Sequence, residues 1–198
     1  MTVRAAIYRA PHLTQRISSD PYWQFNCAAY ALARATNAAT LGGLKISGKE
    51  VRALSSEPVP DPNSPGLNNT QLVAVSKKLR VPITDKTGET WDDVVSYLDT
   101  AGPGYRVLAS IDYPAWAERC QDINIQFGHQ VTLDAVRRKD GIMQILGSDP
   151  LCTRLEWYRA GNVRDAMVAW GRKTGMGTTG QLRFAVTRAI PLLAMETA

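Results

Sequence analysis

Among 198 residues there are three cysteines and two histidines, so chemistry that pairs a thiol with an imidazole must run through His12 or His129. Cys27 is the informative cysteine. It follows Trp23-Gln24-Phe25-Asn26 and opens a stretch without glycine or proline, which puts it at a helix N-terminus. There the helix dipole and the unpaired backbone N–H groups favour thiolate over thiol. The same N–H groups suit the oxyanion that develops when a thiolate attacks an acyl carbon. His129 leads the apolar segment Gln130-Val131-Thr132-Leu133, behind Gly128, which leaves a reacting group unobstructed. Asp149 closes the next apolar segment, in Gly147-Ser148-Asp149-Pro150. If the two segments form a hairpin, His129 and Asp149 come from its open ends and lie side by side. An aspartate there holds the imidazole's orientation and stabilises its protonated form. Each residue alone has a bland reading: a small buried cysteine, a satisfied histidine, a turn aspartate before proline. The ordered combination is harder to attribute to coincidence.

Several elements must position these groups. Residues 27–39 hold seven alanines, and Asn26 precedes them as a candidate N-cap, with Gly42-Gly43 ending the helix. So small-sided a helix packs closely and suits the centre of a fold. Residues 47–54 read as a second helix. Residues 58–66 carry four prolines and read as a rigid loop. Leu72, Val73, Val75 and Leu79 recur at helical spacing over 69–79. Thr90 with Asp93 starts a further helix over 90–98. The second half changes character. Strands are expected at 105–113, at 129–136 with Val131, Leu133 and Ala135 on one face, and at 142–146, the last two joined by Asp140-Gly141. A helix over 162–170 and a strand over 181–189 follow, and residues 3–8 can form a short strand. Helices first and strands later is an α+β pattern in one domain spanning 1–198, with its core at about 20–190.

Composition excludes several classes. A chain that is 44% hydrophobic and 21% charged is globular, not disordered. Two histidines and three scattered cysteines are too few for a zinc finger or ribbon, and the odd cysteine count argues against a disulfide scaffold. No metal or cofactor is expected. Cys120 and Cys152 have no nearby histidine and read as packing residues. The net charge of +5 is mild, and Arg137-Arg138-Lys139 reads as the solvated flank of a turn, which makes nucleic acid an improbable partner. Residues 1–9 carry Arg4 and Arg9 without an apolar segment, and no apolar run reaches the length of a membrane span, so a soluble chain without a signal peptide is expected. Gly175-Met-Gly177-Thr-Thr-Gly180 precedes a strand where a dinucleotide motif would follow one. Asn68-Asn69-Thr70 has meaning as a sequon only in a secreted chain. Trp23 and Trp116 are the tryptophans expected to wall a cleft, with Trp91, Trp157 and Trp170 at core-like positions. His12 reads as a loop histidine.

The order Asn26-Cys27-Ala28-Ala29, Gly128-His129-Gln130-Val131, Asp149-Pro150-Leu151 resembles the papain-like cysteine peptidases of the leader-processing (double-glycine) type, and within them small peptidase-like proteins of actinobacterial phages. Pro65-Gly66-Leu67 and Thr90-Trp91-Asp92-Asp93-Val94 support it, over about residues 20–172. The resemblance implies a nucleophile helix packed on a C-terminal antiparallel sheet. It implies Cys27 as nucleophile, His129 as general base and then acid, Asp149 as orienting residue and Gln24 as the oxyanion-hole amide, with Trp23 and Gly128 lining the substrate cleft. Two departures stand out: Ala28 where the family often has glycine, and Gln24 only three positions before Cys27. Gln15 lies too far upstream to replace Gln24 comfortably. The implied function is cleavage of a peptide or peptidoglycan amide by a chain made in a bacterial host's cytoplasm. The alternatives are a virion tail or tail-tip protein that keeps the fold with little activity and contacts other virion proteins, and an acyltransferase using the same three residues.

Overall fold

The computed structural model describes residues 12–16, 19–61, 66–99, 105–120, 122–123, 125–152, 155–176 and 180–188. The alanine-rich run forms α1 (Cys27–Ala39), in which every residue after Cys27 is buried. Its small side chains let it lie against the sheet while α2 (Gly48–Leu54) and α3 (Asn69–Lys78) also pack on it. The chain leaves α1 through Leu41 and Gly42, both at positive φ, and the Gly42 N–H returns to Asn37 O at 2.8 Å. Capping boxes open α2 (Ser47 with Glu50) and α3 (Asn68 with Gln71), so Asn68 of the apparent sequon is a helix cap. At α4 (Trp91–Leu98), Asp93 accepts hydrogen bonds from the N–H and hydroxyl of Thr90.

Six strands make one antiparallel sheet: β1 (Ile83–Asp85), β2 (Tyr105–Asp112), β3 (Gly128–Lys139), β4 (Ile142–Ser148), β5 (Leu155–Arg159) and β6 (Phe184–Arg188), in the order β1-β6-β2-β3-β4-β5. The fold is α+β. Both faces of the sheet are covered. Leu108 and Ala185 face α1–α3 in a core with Leu32, Leu72 and Val75. Ile111, Val131, Leu133 and Phe184 face the other way, toward Val94 of α4 and Met167 of α5 (Ala160–Lys173).

The β3–β4 hairpin turns through Asp140 and Gly141, both at positive φ as a two-residue turn of this hand requires. A bulge between Leu133 and Ala135 shifts the alternation, so Leu133 and Val136, not Ala135, share the core of the α5 face. That corrects the strict alternation expected for β3. Strands β1 and β5 were not anticipated. β1 has only three residues and is ordered by pairing with β6, which no local pattern announces. The helix expected over 162–170 is longer, and the last strand starts at Phe184. The strand expected at 3–8 lies outside the described residues, as does 62–65 of the proline-rich loop.

Candidate active site

Cys27 is the first residue of α1, and its neighbours are held by a buried polar network. Asn26 occupies the N-cap position, but its side chain does not cap the helix. Its amide instead donates to Asp20 Oδ2 at 2.9 Å, and its carbonyl oxygen accepts from Arg52 Nε at 2.9 Å. This corrects the expected capping role. Asn26 ties the start of α1 to α2, and the first N–H groups of α1 take no side-chain acceptor from it. Tyr30 N is the first of the helix to reach an intrahelical acceptor, Asn26 O.

His129, the second residue of β3, is buried, and its Nε2–H donates to Asp149 Oδ1 at 2.7 Å. The imidazole also hydrogen-bonds the Cys27 sulfur. With Nε2 committed to Asp149, Nδ1 is the nitrogen left for the thiol. Tyr113 packs edge-on against the ring at 5.0 Å between centroids. Asp149 is fully buried, and its Oδ1 also accepts the Leu151 N–H at 2.8 Å, so the turn after β4 holds the carboxylate in place. Burial pushes the Cys27 thiol up. The charge and hydrogen bond of His129, with the backbone of Gln130 and Ala28, outweigh it and leave the thiol below its ordinary value of 9.0. Burial likewise works against the imidazolium, but the Asp149 and Cys27 charges raise His129 from 6.5 to about 10. The pair therefore favours thiolate and imidazolium together.

Cys27, Gln24, Gly128 and His129 line one cleft of about 640 Å³. Gln24 lies exposed on the 3₁₀ turn Trp23–Phe25, beside Cys27 in that cleft. Gln15 is fully buried, and its amide donates to Trp23 O at 2.6 Å, so it braces the turn that carries Gln24. The tryptophans exchange the roles expected of them. Trp116 is fully buried in the α5-side core, and Trp23 packs against that core instead of the cleft. Trp170 of α5 forms the cleft wall. It lies so close to Gly128 that a Cβ built there would sit 2.3 Å from its Cη2. The missing side chain at Gly128 was the sequence's only sign of this contact.

Cys120 and Cys152 are not separate packing residues. They form a disulfide, which corrects the expectation of three free thiols; Cys27 is the free cysteine. The bridge ties the segment after the 3₁₀ turn Tyr113–Ala115 to the Asp149 turn, and the Cys152 N–H donates to Asp149 O at 3.0 Å. Among the described residues, the ligand-type side chains that cluster are these two cysteines and Asp149. The sulfurs are spent on each other and Asp149 on His129. His12 clamps the same turn from the other side, with Nε2–H donating to Cys152 O and Nδ1 accepting from the Ser148 hydroxyl, each at 2.7 Å. Burial holds its pKa below 6.5, which suits this neutral, structural use.

No protein-family model and no curated protein sequence matches the chain. Among solved structures, a protein from Bacillus anthracis described as a C39-like peptidase superposes with a TM-score of 0.61 at 15% identity, covering 93% of this chain and 96% of that one. At that identity the likeness is one of fold alone, an α+β fold shared with that C39-like protein. No described helix is long and apolar enough to cross a membrane.

Proposed function

We propose that this protein is a cysteine peptidase or amidase in which Cys27, His129 and Asp149 form the catalytic triad. The observation that carries this reading is the contact chain from the Cys27 sulfur through the His129 imidazole to Asp149, opening on a cleft at a helix N-terminus. The Cys27 thiolate attacks an amide carbonyl and forms a tetrahedral oxyanion. The Gln24 amide and the backbone N–H groups at the start of α1 stabilise that charge. His129 gives its proton to the leaving amine, whose C–N bond breaks to leave a thioester on Cys27. His129 then takes a proton from water as the water attacks the thioester. The acid leaves and Cys27 returns to its starting state. Asp149 holds the ring so that it faces the thiol throughout. The substrate class is a peptide or a peptidoglycan cross-link. The peptidoglycan option and a phage origin rest on the sequence resemblance alone.

The test is alkylation with iodoacetamide at pH 6, followed by mapping of the labelled residue. Fast labelling of Cys27 that is lost in His129→Ala is the expected result. Slow labelling of Cys27 at an unactivated thiol's rate, unchanged by that substitution, would sink the peptidase reading in favour of an inactive module with this fold.

A further inference from the structure

The cleft has a charge that catalysis does not use. Among the described residues that line it, Arg183 is the only permanent cation and Asp85 the only carboxylate. The two are not joined. Asp85 Oδ1 accepts from the Asn69 amide at the start of α3 and from the N–H and hydroxyl of Thr87 in its own loop, which commits that oxygen away from Arg183. Arg183 is half-buried and fixed: its Nε donates to Thr174 Oγ1 at 2.7 Å and its Nη2 to Thr174 O at 3.1 Å. Nη1 takes no part in either bond, and no carboxylate of the described residues pairs with this guanidinium. The nearby Lys173, by contrast, is paired with Asp112 at 2.7 Å. A guanidinium held by neutral groups, partly out of water and without a counter-charge, is preorganised for an anion.

Its position says which part of a ligand would reach it. The Ser110 N–H donates to Arg183 O, and Ser110 lies opposite Gln130 of β3, next to His129. Two strand spacings of ~4.8 Å separate Arg183 from the strand that carries His129, roughly 10 Å. An extended peptide covers that distance in about three residues. We propose that Arg183 is a specificity-determining residue that receives a side-chain carboxylate about three residues from the scissile bond, so that acidic peptides are the preferred substrates. This rests on the peptidase reading for its substrate class, but the carboxylate site can be tested without turnover.

The probes are two sets of blocked nonapeptides of alanine and glycine. One carries a single glutamate moved through every position, and the other carries glutamine in its place. Binding is measured to the full chain carrying Cys27→Ala, by calorimetry. At one position the glutamate peptide is expected to bind about tenfold more tightly than its glutamine twin. Adding Arg183→Gln brings that ratio to near one, and adding Arg183→Lys keeps part of it. Because the ratio is internal to each variant, any loss of stability from uncapping Thr174 cancels. A ratio near one at every position, or a ratio that survives Arg183→Gln, overturns the proposal. The unsubstituted chain, incubated with the same peptides, separates the two ideas. No cleavage alongside a persisting ratio defeats the peptidase reading and keeps the carboxylate site. Cleavage without glutamate preference does the reverse.

Discussion

Helix α1 meets strand β3 at two charged centres, one near each end of the contact. At one, Arg34 of α1 makes a two-pronged ion pair with Asp134 of β3, with Arg106 of β2 at 3.5 Å from the same carboxylate. At the other, Cys27 of α1 meets His129 of β3, backed by Asp149. Both carboxylates are buried, and both are partnered by nitrogen cations. The difference is in the partner's chemistry. A guanidinium does not release its proton in any accessible pH range, so the Asp134 centre can only hold. An imidazole can pass its proton on, and it has a thiol on its other side and a cleft beside it. One pair of elements thus carries a permanent joint and a titratable one. The permanent joint keeps helix and strand in register so that the titratable one has fixed geometry.

Substitutions should separate the two centres cleanly. The largest effect is expected from Cys27→Ala or His129→Ala, each lowering amide hydrolysis by about 10⁴-fold or more, with the urea midpoint of Cys27→Ala staying close to that of the parent. Preserved hydrolysis in either variant would break the distinction at once. Asp134→Ala should do the opposite. It takes the shared carboxylate from two buried guanidiniums and should cost about 3–5 kcal/mol in equilibrium unfolding, with His129-dependent labelling of Cys27 retained in the folded fraction. A mild loss would mean that the Asp134 centre is not the joint.

Reducing the Cys120–Cys152 bridge, which spans 32 residues, should cost about 2–4 kcal/mol by urea titration. It should also slow Cys27 labelling if the bridge positions Asp149 as well as stabilising the fold. Gly128→Ala drives a methyl group into the Trp170 indole and should destabilise by about 1–3 kcal/mol, with recovery in the Gly128→Ala/Trp170→Ala double variant.

The last test is pH dependence. Folding raises the His129 pKa to about 10, so its contribution to stability is complete below 6.5 and is lost as pH climbs through about 10. Folding lowers the Cys27 pKa, so its contribution is complete above 9.0 and is lost as pH falls through the lowered value. Between these limits the ion pair persists, and the alkylation rate of Cys27 should be nearly flat. In His129→Ala it should rise about tenfold per pH unit, as an unassisted thiol's does. A steep slope in the unsubstituted chain would remove the thiolate–imidazolium pair from the account.

Much of this was legible in local signals. The bounds of α1 follow from its alanines and its flanking glycines, and the hairpin follows from Asp140-Gly141 between apolar segments. That hairpin is why His129 and Asp149 could be put side by side despite 20 residues of separation. The failures share one cause. Trp23 and Trp116 were expected in the cleft and Trp170 in the core because period and residue type say which side chains are apolar, not which apolar surface stays uncovered. Asn26 reads as a cap until Asp20 and Arg52 arrive from other segments to claim its amide. Cys120 and Cys152 read as unrelated until the turn after β4 brings their Cα atoms to 5.8 Å.

The sequence by itself therefore singled out the residues proposed to hold the chemistry: a thiol at a helix start and one histidine at a strand start with an aspartate to orient it. These depend on residue type and on periodicities of a few residues. Only the tertiary structure decided what surrounds them: the disulfide and the His12 clamp on the Asp149 turn, Trp170 against Gly128, and Arg183 unpaired in the same cleft. Those depend on which segments meet across the sheet, and the burial that drives them together is non-directional and carries no local mark in the chain.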